Sequence, residues 1–549
     1  MKFTSKFLIS IFLFFTTFNA GAQILGNAHK FTRYDTLRGS VTKERMWWDV
    51  TCYNITVKPD FENKTIEGEV NVSFKVLNPD NLMQIDMQVP MEVKTVSWNG
   101  GRLPFKRDSN VYLIRFSEML KKGSDQRLTI SFSGKPKEAH RPPWDGGWIW
   151  ATDKKGNPWV SVACQGLGAS AWFPCKDHQS DEPDSASLTM VVPDSLTGVA
   201  NGRLRSKIAN TNGTTAYTWS VNNPINSYNL IPYIGKYVNW SDTYSGEKGN
   251  LDCSYWVLQD HLDSAKAQFK QVSLMLKCFE HWFGPYPFYE DGYKLVESPH
   301  LGMEHQSAIG YGNRFRNGYL GTDLSGTGWG LKWDFIIVHE SGHEWFGNNI
   351  TSKDLGDMWI HESFTNYAET LFTETQFGKE AGQSYLIGTR IRIENKAPVI
   401  GPYQVNSEGF GGTDMYYKGG NMLHIIRQII NNDDIFRKVL RGLNQTFYHK
   451  TVNAKQVEDY ISRESGMDFS KVFDQYLRNT QVPVLEYRTD NSKFYYRWSD
   501  CVPGFNMPVK ISYGKEHLLR PTQSWQSIPL SAGEEPKVDR NFYVLSRKV

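Results

Sequence analysis

The chain has 549 residues, of which 22% are charged and 40% hydrophobic, and its formal net charge is +3 at pH 7. This length exceeds one ordinary core, so about two to four domains are expected. The near-neutral charge gives no sign of a nucleic-acid partner, and six cysteines are far too few for a disulfide-stapled scaffold.

The N-terminus has the pattern of a secretory signal peptide. Two lysines precede the apolar run 7–15, and the small residues at 20–22 match an A-x-A cleavage site before Gln23. The run is too short to span a bilayer comfortably, and no later segment is apolar enough to cross one. We therefore expect residues 1–22 to be a cleaved signal peptide and the mature protein to be periplasmic or secreted, without a transmembrane segment. An uncleaved signal anchor is the alternative.

Residues 48–245 show the alternation of apolar and polar positions that predicts β-strands. The clearest run is 66–76, and turn clusters such as N-P-D-N at 78–81 separate the strands. We expect a largely antiparallel β domain over 23–245. A Gly- and Trp-rich loop at 142–157 is expected to interrupt it and to be ordered against a cleft.

The period then changes to that of helices. A helical pattern covers 262–283, and helices dominate to about residue 480. Alternation returns from Val484 onwards. We expect a mainly helical domain over 246–480 and a small β domain over 481–549, which makes the fold class multidomain α+β.

The helical pattern at 331–346 contains H-E-S-G-H. Positions i and i+4 of a helix lie on the same face, so His339 and His343 can present two imidazole nitrogens to one ion, with Glu340 beside them. Two zinc ligands and a general base have this arrangement. The segment therefore predicts a metal site.

Glu362 is the natural third ligand. A catalytic zinc takes three protein ligands and keeps a fourth position for water. Glu362 lies near the start of a second helical pattern at 358–377, and the short link 347–356 lets that helix turn back beside the first. We predict one Zn²⁺ per chain, bound by Glu362 and the two histidines.

Two further segments carry candidate residues. Tyr416 and Tyr417 begin a helical pattern, and either can supply an oxyanion donor or be an ordinary packed aromatic. Glu304, in L-G-M-E-H at 301–305, can bind a substrate ammonium group, ligate a metal or lie on the surface. Spacing alone leaves these alternatives open.

The order of these elements resembles the M1 family of zinc aminopeptidases, a gluzincin family with a saddle-like N-terminal β domain and a thermolysin-like catalytic domain. Residues 301–305 stand where the family has G-x-M-E-N, and Tyr416 begins a match to Y-x-K-G. The zinc motif and Glu362 have the family's separation of eighteen residues. The stretch from Gln165 to Cys175 is similar to the one that contributes a Gln or Glu to the substrate's amino end.

The resemblance implies roles for individual residues. It makes Glu340 the general base and Tyr416 the stabiliser of the transition state. It makes Glu304 and Gln165 the anchor for the substrate's free α-amine. Glu369, two helical turns beyond the third ligand, resembles the family's acidic residue that orients a zinc histidine. A solvated helix charge is the alternative for Glu369.

This sequence departs from the family pattern at several positions. Leu301 and His305 replace a Gly and an Asn of the exopeptidase motif, and Ser170 stands where many relatives have Arg. The short C-terminal region has no large helical domain, so we expect a more open site.

The function that the resemblance implies is a zinc-dependent aminopeptidase acting on peptides with a free N-terminus. A zinc endopeptidase, an epoxide hydrolase on the same site and a non-catalytic binding scaffold are the alternatives. A complete set of ligands, base and tyrosine argues against the scaffold. The preferred N-terminal residue is not identified by the sequence.

Overall fold

The computed structural model describes the following residues: 30–407, 410–490, 492–513, 515–529 and 536–549. The expected signal peptide at 1–22 lies outside them. Within these ranges, no helix has the length and apolar character needed to cross a membrane.

The largest sheet belongs to the N-terminal domain. Neighbouring strands run antiparallel except for one central parallel pair, Trp48–Asp60 with Ser185–Pro193. Buried and more exposed positions alternate along Ser185–Pro193, as expected for a strand with one face on the core. In spatial order the strands are Arg203–Ala209, Thr214–Val221, Ser185–Pro193, Trp48–Asp60, Thr65–Val76, Asp125–Gly134, Glu92–Trp98 and Gly101–Arg102.

Two smaller sheets complete this domain. One has the order Thr197–Val199, Tyr233–Gly235, Pro158–Ala163 and Gly147–Thr152, and the other Leu82–Asp86, Val111–Arg115 and Phe105–Asp108. The expectation of a loop over 142–157 is wrong for residues 147–152, which pair antiparallel with 158–163. This pairing brings Trp148 into the core against Trp172, whereas Trp144 is exposed.

A mixed sheet begins the second domain. Its strands are, in spatial order, Tyr237–Gly246, Gly249–Leu258, Tyr293–Glu297, Ile309–Tyr311 and Gly302–Met303. Strand Tyr237–Gly246 pairs along its whole length with the next strand. The change from one sheet to the other therefore falls near residue 236, ahead of the boundary that we expected at 245.

Helices form the rest of this domain, and two of them differ from expectation. The helix expected over 262–283 is divided into two. The helix expected over 331–346 is shorter at both ends and covers Phe335–Gly342. It begins at Phe335 because Asp334 caps it by accepting hydrogen bonds from the backbone N–H groups of Ile336 and Ile337. The helices are Leu262–Gln268, Gln271–Phe283, Phe335–Gly342, Trp359–Phe377, Lys379–Thr389, Asp414–Ile430, Asp433–Thr446, Ala454–Ser465 and Ser470–Arg478, and strands Ile350–Ser352 and Lys450–Val452 pair in parallel beside them.

The C-terminal region is again β. Its two sheets have the orders Gln526–Pro529, Lys493–Ser499, Val484–Thr489, Leu545–Lys548 and Lys515–Leu519, Val509–Tyr513, Lys537–Val538. Trp498, Met507 and Phe542 belong to the same hydrophobic core as the helical domain, whereas the N-terminal domain has a core of its own. The multidomain α+β fold predicted from the sequence is confirmed.

Candidate metal centre and substrate cleft

His339, His343 and Glu362 meet at one point. His339 lies on helix Phe335–Gly342, His343 is the residue that caps its C-terminus, and Glu362 lies on helix Trp359–Phe377. Glu362 Oε2 lies 3.6 Å from His339 Nε2 and 3.5 Å from His343 Nε2. Donors around a tetrahedral zinc with bonds of about 2.0–2.1 Å are about 3.4 Å apart, so the spacing fits that ion. Among the described residues, Oε2 has no hydrogen-bond partner although it is buried. A buried carboxylate oxygen without a donor indicates a place for a cation.

Each histidine is oriented through its other ring nitrogen. His339 Nδ1 lies 2.7 Å from Glu369 Oε1, and His343 Nδ1 lies 3.0 Å from the carbonyl oxygen of Phe346. Both of these oxygens accept hydrogen bonds, so each Nδ1 carries the proton and each Nε2 is directed to the centre. Glu369 is itself held by the hydroxyl of Tyr385, which donates to Oε2 at 2.6 Å.

The electrostatics of the centre favour positive charge. Burial lowers the pKa of His339, but the carboxylates of Glu362 and Glu369 raise it well above its ordinary value. Burial raises the pKa of Glu362, but the two histidines lower it well below its ordinary value. A divalent ion supplies the same positive charge and displaces the protons from both Nε2 atoms.

Glu340 lies beside the ligands and against a substrate-side strand. Burial raises the pKa of Glu340 to about 7, against the lowering effect of the two histidines. A Cβ atom at Gly302 would come within 2.6 Å of Glu340 Oε1. Glycine at 302 therefore lets the strand Gly302–Met303 pass directly over the base.

Glu304 is buried at the same centre. A carboxylate oxygen of Glu304, one of Glu340 and an imidazole nitrogen of His343 all lie within 4.8 Å of one another. Tyr228 donates its hydroxyl proton to Glu304 Oε1 at 2.9 Å, and Gln165 Nε2 donates to the same oxygen. Burial raises the pKa of Glu304. A substrate ammonium group would compensate this buried negative charge.

The structure distinguishes between the two tyrosines. The ring of Tyr416 stacks on that of the ligand His339 with centroids 6.0 Å apart. Tyr417 neighbours Tyr416 and has no ring contact with a ligand among the described residues. Burial and the nearby carboxylates raise the pKa of Tyr416 well above its ordinary value. Its hydroxyl therefore keeps its proton and can donate to a developing oxyanion.

The two departures at the exopeptidase motif are accommodated in the core. His305 is fully buried, and its Nδ1 lies 2.5 Å from the hydroxyl of Tyr233. Burial lowers the pKa of His305 well below its ordinary value, so the ring is neutral. Leu301 packs against the main core. With both of these residues present, Glu304 is buried directly after strand Gly302–Met303.

Sequence reasoning missed several residues that support this site. Tyr228 donates to Glu304, Tyr385 donates to Glu369, and Asn348 Nδ2 donates to the carbonyl oxygen of Glu304 at 2.8 Å. No local pattern marks them, because each comes from a segment that reaches the site only through the tertiary fold.

Comparison with known proteins agrees with this geometry. The model of the peptidase M1 N-terminal domain matches residues 50–229, and that of the peptidase family M1 domain matches residues 271–476. Probable aminopeptidase 2 of Sulfurisphaera tokodaii is 22% identical over 80% of this chain and 55% of its own length. Leukotriene A-4 hydrolase of Xenopus laevis is 22% identical over 56% of this chain and 50% of its own.

A solved structure gives the same fold. It is that of a mutant M1 zinc metallopeptidase from Deinococcus radiodurans bound to a Tyr-Ser-Ala substrate. The TM-score is 0.68 at 20% identity, covering 79% of this chain and 95% of that one. The chain belongs to peptidase family M1, and it spans about half the length of the curated relatives that it matches. Family membership and the ligand set assign one zinc ion to the centre.

Proposed function

We propose that this protein is a zinc-dependent aminopeptidase that removes residues from the free N-terminus of peptides. The observation that carries the proposal is Glu304, a residue that is 2% exposed and whose carboxylate has an oxygen within 4.8 Å of ligand atoms of Glu340 and the zinc ligand His343. At that place it can pair with a substrate ammonium group and so set the distance from the amino end to the bond that is cut.

The residues of the chain supply the steps around the metal. Zinc, when bound to the two histidines and Glu362, polarises a carbonyl oxygen and lowers the pKa of water. Glu340 accepts a proton from the attacking water and delivers it to the leaving amine. Tyr416 donates a hydrogen bond to the oxyanion. Glu304, held by Gln165 and Tyr228, binds the amino group.

The other candidate functions have less support. An endopeptidase binds no free ammonium group at this place, so it gives no reason for the buried carboxylate of Glu304 beside the metal ligands. Similarity to leukotriene A-4 hydrolase keeps epoxides among the compounds to assay. A binding scaffold without activity gives no reason for a complete set of ligands, base and tyrosine. The signal-peptide pattern at 1–22 supports export, which sequencing the N-terminus of the mature protein from its native host would check.

The test compares each fluorogenic peptide with its N-acetylated form. We expect acetylation to lower kcat/KM about 100-fold or more, because the buried charge of Glu304 loses its partner. Glu304→Gln should reduce cleavage of free-amine substrates by a similar factor, and a chelator should abolish it. Glu290→Gln, which changes an exposed glutamate, is the matched control. Equal cleavage of free and blocked peptides would identify an endopeptidase instead.

A further inference from the structure

An N-terminal segment that precedes the matched family domains packs beside the cleft. Residues 30–46 lie ahead of the first matched domain, which begins at residue 50. They form helix Arg33–Gly39 and the short helix Lys43–Met46. Arg45 is fully buried and donates to the carbonyl oxygens of Arg38 and Ser40 at 2.8 and 2.7 Å. The segment is therefore an ordered part of the domain.

Arg38 connects this segment to the turn that carries Gln165. Its Nη2 donates to the carbonyl oxygen of Gly166, and its Nε lies 3.7 Å from Asp177 Oδ2. The two side chains are 11% and 9% exposed, so solvent screens the pair little. A Cβ atom at Gly168, where φ is +95°, would stand 2.0 Å from the Asp177 carboxylate and 2.7 Å from Arg38 Nη2. The absence of a side chain at Gly168 therefore leaves space for the Arg38–Asp177 ion pair.

The turn that Arg38 contacts is closed by short backbone hydrogen bonds, so a shift of the turn would also move Gln165. The N–H of Leu167 donates to the carbonyl oxygen of Gln165 at 2.8 Å, and that of Gly168 donates to Cys164 at 2.7 Å. Gln88 Nε2 holds the far side of the turn through the carbonyl oxygen of Leu167 at 2.7 Å. Arg38 contacts the carbonyl oxygen of Gly166, the residue next to Gln165.

The same segment contacts the catalytic domain. The N–H of Asn406 donates to the carbonyl oxygen of Asp35 at 3.1 Å, and a Cβ atom at Gly39 would stand 2.1 Å from the backbone of Val405. Arg38 and Asn406 line one cavity together with Gln165 and Tyr228, the two residues that donate to Glu304. The segment is therefore a wall of the cavity that Gln165 and Tyr228 line.

We propose that Arg38 is a positioning residue, which holds the turn at 164–168 so that Gln165 stays against Glu304 and the substrate's amino group is bound tightly. The proposal rests on the proposed aminopeptidase function. A small displacement of a positioning group is enough to weaken a substrate contact by an order of magnitude. The expected signature is a change in KM with little change in kcat, because the zinc ligands and Glu340 lie on other elements.

The test uses the zinc-loaded full-length enzyme and Arg38→Met, which removes the donors and keeps an unbranched side chain. The best substrate of a panel of aminoacyl-7-amido-4-methylcoumarins is the probe. We expect KM to rise about tenfold with kcat within twofold, and amide hydrogen exchange of peptide 164–170 to become faster. Arg33→Met is the matched control, since Arg33 is on the same helix in an ion pair with Asp108 and is 67% exposed.

Arg38→Lys is the second variant, and it decides the question if Arg38→Met does not fold. A lysine keeps the charge near Asp177 but lacks the fork that reaches both partners, so an intermediate KM is expected. Unchanged exchange at 164–170, or faster exchange with wild-type KM, would overturn the proposal. If the wild-type enzyme cleaves no free-amine substrate, the proposed function fails, while the exchange experiment still decides whether Arg38 holds the turn.

Discussion

At the scale of single residues, the centre depends on groups that are buried together and satisfy one another. Glu369 shows this, because it is 1% exposed and lies between His339 Nδ1 and the hydroxyl of Tyr385. The sequence left open whether Glu369 was a solvated charge. The structure places it in the core, where an unpaired carboxylate would be costly.

We expect Glu369→Ala to weaken zinc binding about 10- to 100-fold, because the ligand ring loses the partner that fixes its tautomer and orientation. Competition with a chromophoric chelator measures the affinity. Glu340→Gln is the control: it touches no ligand tautomer, so it should retain zinc while turnover falls by about 10²- to 10⁴-fold. A zinc affinity of Glu369→Ala equal to that of the wild type would contradict this account.

At the scale of elements, the site is assembled by close packing of two helices. Helix Asp414–Ile430 lies against Trp359–Phe377 so tightly that a Cβ atom at Gly419 would stand 1.7 Å from Ser363 Oγ, and one at Gly420 2.3 Å from Asn366 Oδ1. The two glycines let Tyr416 reach the ring of His339. The two glycines after the tyrosines therefore allow the short distance between the two helices.

Gly419→Ala should move helix Asp414–Ile430 away from its neighbour. We expect a loss of about 1–3 kcal/mol in stability from overpacking, and a larger fall in kcat than in zinc content because Tyr416 is displaced. Thermal unfolding, metal analysis and steady-state kinetics measure the three quantities. Gly101→Ala is the control, since the carbonyl oxygen of Trp98, at 3.6 Å, is the single described atom within 4 Å of the added Cβ. Unaltered kcat in Gly419→Ala would show that the close packing does not position Tyr416.

At the scale of the whole molecule, the cleft lies where two separate cores meet. Gln165 and Tyr228 come from the N-terminal domain, and Glu304 and the zinc ligands come from the second domain. His300 and His424 of the second domain are buried, and His178 of the N-terminal domain is partly buried. Burial lowers the pKa of His300 and of His424 to about 3, and that of His178 to about 4. Folding therefore excludes protons from these rings.

This exclusion makes stability depend on pH. A histidine whose pKa in the folded state is below the unfolded value of 6.5 does not change the free energy of unfolding well above pH 6.5. Its effect becomes destabilising as the pH falls from 6.5 towards 3, because only the unfolded chain takes up the proton. For a ring like His424 the loss is about 2 kcal/mol at pH 5. Buried carboxylates such as Asp334, whose pKa burial raises to about 6, act in the opposite direction.

A variant separates the effect of the buried histidine on stability at low pH from that of the buried carboxylates. We expect His424→Gln to reduce the decrease in Tm between pH 7 and pH 5 relative to the wild type, as measured by differential scanning fluorimetry. His140→Gln, which changes an exposed histidine, should leave the pH dependence as it is. An identical pH dependence in His424→Gln and the wild type would show that this ring is not excluded from protonation by folding.

Much of the centre was accessible from the sequence, because helix geometry is local. The i, i+4 spacing placed His339 and His343 on one face, and the helical pattern at 358–377 agrees with helix Trp359–Phe377. Boundaries were less accessible. The helix expected to begin at Leu331 begins at Phe335, because Asp334 caps its N-terminus. Apolar periodicity alone had placed the start four residues too early.

The amino-acid sequence was enough to predict the spacing of the two histidines, the place of Glu340 beside them and the class of fold, since these follow from periodicity over a few turns or strands. The contacts that hold Glu304 became visible with the folded structure. Gln165 and Glu304 are 139 positions apart, and Arg38 is a further 128 positions from its contact at Gly166. Such contacts arise when separately folded cores pack together, and no local pattern encodes that packing.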